Sequence, residues 1–104
     1  MTMAIVDITV IPIGTNSPSV SEYVADIQKI LNKYEAEGKI HYQLTPMNTL
    51  IEGELPTLLE VVAAIHEAPF HKGINRVATN IRIDDRRDKK STMSSKLESV
   101  NRHL

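Results

Sequence analysis

"AIVDITVIPIG", residues 4–14, decides the fold. Ala4, Val6, Ile8, Val10 and Pro12 alternate with Ile5, Asp7, Thr9, Ile11 and Ile13. A period of two in a run rich in β-branched residues predicts a strand, and Pro12 and Gly14 mark its end. One face of this strand is wholly apolar and must be covered. The other sets isoleucines beside Asp7 and Thr9.

The rest of the chain supplies the cover. "GTNSPS", 14–19, is a loop of turn residues. Ser19 is placed to cap a helix, with Glu22 completing a capping box. Val20, Tyr23, Val24, Ile27, Ile30, Leu31 and Tyr34 follow at helical spacing, and Gly38 is the stop. "KIHYQL", 39–44, reads as a second strand, turned at Thr45, Pro46 and Asn48 into a third, "TLIEG", 49–53. Pro56 suits the first turn of a second helix with the stripe Leu55, Leu58, Leu59, Val62 and Ile65, which Pro69 should kink or end. "RVATNIRID", 76–84, is a fourth strand, with Val77, Thr79, Ile81 and Ile83 on one face and Ala78, Asn80 and Arg82 on the other. Met93, Leu97 and Val100 suggest a last helix, and Ser95 with Glu98 has the spacing of a cap.

The order βαββαβ is that of two right-handed split βαβ units. It predicts an α+β, ferredoxin-like sandwich with antiparallel sheet order 4-1-3-2 and an extra C-terminal helix, all in one domain spanning 1–104. Two helices cover one sheet face. The other keeps Ile5, Ile11 and Ile13, an apolar surface that predicts self-association.

Composition narrows the function. Twelve basic residues nearly cancel thirteen acidic ones, which gives no electrostatic reason to expect nucleic acid or an anionic membrane as partner. There is no cysteine, so disulfides, thiol catalysis and thiolate zinc sites are excluded. No stretch approaches the roughly 18 apolar residues of a membrane helix, and the first residues alternate like a strand rather than a secretion signal. A cytoplasmic domain is expected.

Three motifs suggest chemistry. In "HEAPFH", 66–71, the histidines are five apart, whereas a helical zinc pair needs four. At that spacing they diverge by roughly 140°, and Pro69 disrupts the turn between them. No metal site is expected, and His66 reads as a part-buried histidine bonded to a backbone carbonyl. "DDRRD", 84–88, has the Asp-Asp-x-x-Asp pattern of magnesium-binding prenyl-diphosphate enzymes, but it leaves a strand, so a mutually paired, solvated cluster is expected. "PIGTNSPS", 12–19, could receive an anion at a helix start but lacks the nucleotide-binding lysine pattern. No cofactor and no catalytic set declares itself.

Taken together, "VDITVIPIGT" (6–15), "MNTLIEGE" (47–54), "IHE" (65–67) and "RVATNIRIDDRRDKK" (76–90) resemble the small thiamine-binding protein family over nearly the whole chain. Where that family usually has Met-Gly-Thr, this chain has Met47-Asn48-Thr49, with asparagine expected to take over a left-handed turn position. The resemblance implies a ferredoxin-like fold, dimers that pair into tetramers, and binding of thiamine or its hydroxymethylpyrimidine moiety without a known reaction. Such a ligand needs an acceptor for its exocyclic amine, donors for its ring nitrogens and an apolar wall. Glu52, Asp7, Thr9, Thr49, Asn80, Thr15 and Ser17 can supply the polar groups, and Tyr23, Tyr34, Tyr42 or Phe70 could stack. The site is expected where the first strand's end and the 14–19 loop approach the third strand, with Glu52 as its carboxylate. The alternative is an oligomeric interaction domain with no physiological small ligand.

Overall fold

The computed structural model describes residues 3–18, 20–89 and 92–104. The elements are β1 (Met3–Ile13), α1 (Ser21–Ala36), β2 (Ile40–Leu44), β3 (Thr49–Glu54), α2 (Leu55–Glu67), a 3-10 turn (Ala68–Lys72), β4 (Arg76–Asp85) and α3 (Met93–Arg102). The sheet runs β2-β3-β1-β4 and every neighbouring pair is antiparallel. This is the order expected from the sequence.

The alternation of β1 is realised. Ala4, Val6 and Ile8 are buried beneath the helices, together with Ile51 of β3 and Ile40 of β2. From α1, Ile27 and Leu31 pack down on them, and from α2, Leu58, Val61, Val62 and Ile65. The expected stripe on α2 therefore shifts. Val61 joins the core, while Leu59 is 48% exposed because it faces the flank toward β4 rather than the sheet centre. Pro69 sits in the first positions of a 3-10 turn that ends on left-handed Gly73 (φ 87°).

At the other helix ends the caps differ from expectation. Val20 occupies the N-cap position of α1, and the expected cap, Ser19, lies outside the described residues. The box that starts α3 is Thr92 with Ser95, not Ser95 with Glu98: Ser95 N–H donates to Thr92 Oγ1 at 3.1 Å, and Thr92 N–H donates to Ser95 Oγ at 2.9 Å. Met93 begins the helix against the open sheet face, where its N–H reaches Glu52 Oε2 at 2.8 Å. Lys96 pairs with Asp84 at 2.8 Å. α3 thus covers one part of that face and leaves Ile11 and Ile13 exposed.

Strand lengths create the feature that matters most below. β1 pairs with β4 as far as Ile13↔Arg76, but with β3 only as far as Ile8↔Thr49. The far end of β1 overhangs β3.

Candidate functional site

Beneath that overhang lies a cavity of about 230 Å³. Its floor is β1 from Ile8 to Ile11. Val20, Val24 and Ile27 of α1 and its approach form one wall, and Ile65 of α2 closes the back. The β2–β3 turn, Leu44 to Thr49, forms the rim, with Met47 standing 84% exposed at the edge. The walls are aliphatic because the same residues are the α1 stripe and the strand ends of the core. Among the described residues its polar groups are Thr45, Asn48, Thr49 and main chain, including that of Thr9. No ionisable side chain among the described residues lines the cavity.

The rim is held by a chain of polar contacts. Thr45 N–H donates to Asn48 C=O at 2.9 Å, and Asn48 N–H donates to Thr45 Oγ1 at 3.0 Å. The Asn48 side-chain amide donates to Asp7 Oδ1, whose other oxygen accepts from Arg82 Nη2 at 2.9 Å. Turn, β1 and β4 are thereby tied across the open face. Asn48 does not have the positive φ expected for it. It serves through its side chain, not through left-handed backbone.

The candidate residues separate into four places. Thr49 reaches the cavity, and Thr9 borders it through its main chain. Asp7, Thr9 and Asn80 gather with Arg82 on the open face, and Asp7 meets the cavity only through Asn48. Thr15 donates to the Ser17 carbonyl at 2.6 Å within the 14–19 loop. Glu52 stands apart. On β3, Thr49, Ile51 and Gly53 turn toward the helices while Leu50, Glu52 and Glu54 turn away, so Glu52 is buried beneath α3 on the opposite side of the sheet.

Nor does an aromatic ring line the cavity among the described residues. Tyr34 donates to Glu60 Oε1 at 3.3 Å, Tyr42 bonds to Asn32, and the Lys72 ammonium lies over Tyr23. The burial of Tyr34, then the Glu60 carboxylate beside it, pushes its phenol up from the ordinary value. The residues that sequence reading missed are Leu44, Met47, Val24, Ile27 and Ile65, all read as plain core or turn. The available signal was length: the first strand's apolar run is about twice as long as the third's, so one end had to overhang.

The remaining motifs resolve into local pairs. His66 Nδ1 lies 2.6 Å from Thr79 Oγ1, a side-chain hydroxyl and not the expected carbonyl. Of the "DDRRD" carboxylates, Asp84 pairs with Lys96, Asp85 with Arg87 and Asp88 with Arg86. Among the described residues no three His, Asp or Glu side chains converge as a metal site, and no helix is long and apolar enough to cross a membrane.

A second recess, of about 590 Å³, lies on the open face between α3 and the sheet. It is larger and less enclosed, and its charges compensate one another as Asp7–Arg82 and Asp84–Lys96. The cavity under the β1 overhang is the better small-ligand candidate, because a concave apolar space with a few fixed polar groups excludes water and orients a ring.

Comparison with known proteins agrees with this architecture. The family described as thiamine-binding protein matches residues 6–101. The UPF0045 protein YqgV of Bacillus subtilis is 76% identical over 102 residues, 98% of each chain. A solved structure of a hypothetical protein from Methanocaldococcus jannaschii superposes with a TM-score of 0.83 at 28% identity, covering 97% of this chain and 98% of that one. A Thermotoga maritima protein provisionally assigned to thiamine biosynthesis or salvage shares the fold, with a TM-score of 0.74 at 18% identity over 94% of this chain and 98% of that one. The chain belongs to the thiamine-binding protein family.

Proposed function

We propose that the protein binds hydroxymethylpyrimidine, free or as the pyrimidine half of thiamine, in the cavity under the β1 overhang, and that it stores, senses or delivers this ligand in the cytoplasm without transforming it. The observation that carries the reading is the cavity itself, small, aliphatic and edged by a few neutral polar groups. Pockets for drug-sized ligands occupy roughly 300 Å³ and more. At about 230 Å³ this one suits a single substituted ring. Thiamine would enter pyrimidine first, leaving its cationic thiazolium outside past Met47, where water solvates it.

The lining supports binding without turnover. General acid–base or nucleophilic chemistry needs a titratable group within reach of the ligand. The lining supplies threonines, one asparagine and main chain. The family description as a binding protein points the same way.

The same reading includes self-association, dimers pairing into a tetramer. A closed tetramer of this kind needs two different self-complementary surfaces. Two exposed apolar surfaces support it. One is the open face, with Ile11, Ile13 and the outer α3 residues Leu97 and Val100. The other is the β4 flank, with Leu59, Ile81 and Ile83.

Calorimetric titration of the purified chain with hydroxymethylpyrimidine and with thiamine tests the reading. Saturable binding of one pyrimidine per chain is expected. No heat and no competition up to millimolar ligand would favour the alternative, an oligomeric interaction domain whose exposed surfaces recruit protein.

A further inference from the structure

Four consecutive residues, Ile8 to Ile11, border the cavity. Side chains of a strand alternate between faces, so neighbours in sequence can border one space only by showing it their main chain. β3 ends opposite Ile8, and β1 continues with no strand on that side.

The register identifies which residue faces this bare edge. Thr45 N–H donates to Asn48 C=O at 2.9 Å, so these two form a hydrogen-bonded pair of the β2–β3 hairpin. Such pairs alternate along an antiparallel ladder. Leu50 and Glu52 therefore direct their main-chain groups toward β2, and Thr49 and Ile51 direct theirs toward β1. The partners of these last two, Ile8 and Val6, point back at β3. Val10, two residues beyond Ile8, points the same way, past the end of β3. Pro12 gives independent agreement. It sits within the β1–β4 ladder opposite Val77, and having no N–H it belongs there with its nitrogen turned away from β4. Val10 shares that orientation. Among the described residues its N–H and C=O, side by side, have no cross-strand partner, and they lie next to aliphatic walls, where such groups require a polar partner.

We propose that this main-chain pair of Val10 reads the edge of the aminopyrimidine. The Val10 carbonyl accepts from the exocyclic amine, and the Val10 N–H donates to the adjacent ring nitrogen. The ring takes the place of one missing β3 residue, a one-position form of strand addition, with Val24, Ile27 and Ile65 against its faces. The inference rests on the pyrimidine reading and adds what the site selects: an amine beside a ring nitrogen rather than a pyrimidine ring alone.

The test uses hydroxymethylpyrimidine, its analogue lacking the amine, and the whole chain. Amide hydrogen exchange of the parent, followed by NMR, is expected to slow at Val10 on adding hydroxymethylpyrimidine, more than at Ile8 or Thr9. The analogue is expected to bind about ten- to a hundredfold more weakly, the effect of losing one buried hydrogen bond. Val10→Pro removes the N–H without breaking the β1–β4 ladder and is expected to weaken binding by a similar factor. Hydroxymethylpyrimidine that binds the parent with no change at the Val10 amide, or an analogue that binds equally well, overturns the edge readout and leaves the pyrimidine reading standing. A parent that binds neither compound overturns both.

Discussion

The Glu52 carboxylate accepts the backbone N–H of Met93 at 2.8 Å, which places a buried acidic group at the first turn of α3. This is the favourable sense for a helix N-terminus, where N–H groups lack intrahelical partners and the macrodipole is positive. Glu52 therefore fastens the C-terminal helix to the open face of the sheet. Glu52→Ala is expected to cost about 1.5–3 kcal/mol of stability in chemical denaturation and to speed amide exchange in α3. Pyrimidine affinity should be unchanged, because the cavity is on the other side of β3. A tenfold loss of affinity in a folded Glu52→Gln variant would return Glu52 to the ligand site.

Asn48 joins the β2–β3 turn to Asp7, and Asp7 is held by Arg82. Asn48→Gly removes that tie while leaving the turn backbone free of any left-handed demand. A loss of about 1 kcal/mol is expected from the missing hydrogen bond. The cavity rim should loosen with it, seen as weaker pyrimidine binding and faster exchange at Asn48 and Thr49. Unchanged stability and affinity would mean that the rim needs no such brace.

Much of this architecture was readable in the sequence, because alternation in β1 and helical spacing in α1 report burial directly. The misreadings share a cause. Leu59 and Val61 flank the same helical stripe, and which one is buried depends on where α2 sits over the sheet. Thr92 and Ser95 both begin cap-like patterns, and the choice follows from the contact of Met93 with Glu52. The place of Glu52 under α3 was also readable, since its even register sets it on the face opposite Thr49 and Ile51. The main chain of Val10 could not be foreseen from residue types, because every residue carries the same N–H and C=O. Only the relative lengths of β1 and β3 expose it.

Self-association is testable through Ile11, which is 43% exposed on the open face. Ile11→Lys places a charge in the proposed contact, where an unpaired ammonium is strongly disfavoured. Sedimentation is expected to show the parent as a tetramer at tens of micromolar and the variant shifted to smaller species. A monomeric parent, or a variant that assembles as the parent does, counts against the open face as an interface.

Acid titration has a specific expectation at the β4 exit. The Arg86 guanidinium bonded to Asp88 holds that carboxyl down at about 2, and Arg87 likewise lowers Asp85. A folded-state pKa below the unfolded one stabilises above the ordinary carboxylate value and is lost as pH falls. The window for Asp88 runs from about 4 down to about 2. NMR titration of the Asp88 side-chain carboxyl should show this low midpoint, and Arg86→Gln should return it to the ordinary range. An ordinary midpoint in the parent would show that the exposed ion pair does not persist in solution.

The most direct measurement sets the parent beside a variant with its cavity filled. Val24 lines the space from α1, and Val24→Phe would occupy much of it while keeping an apolar side chain on the same helical face. In calorimetric titrations with hydroxymethylpyrimidine, the parent is expected to bind one ligand per chain, and the folded variant to lose at least a hundredfold in affinity, about 2.7 kcal/mol. Equal binding by the two chains, or none by the parent, would contradict a pyrimidine site under the β1 overhang.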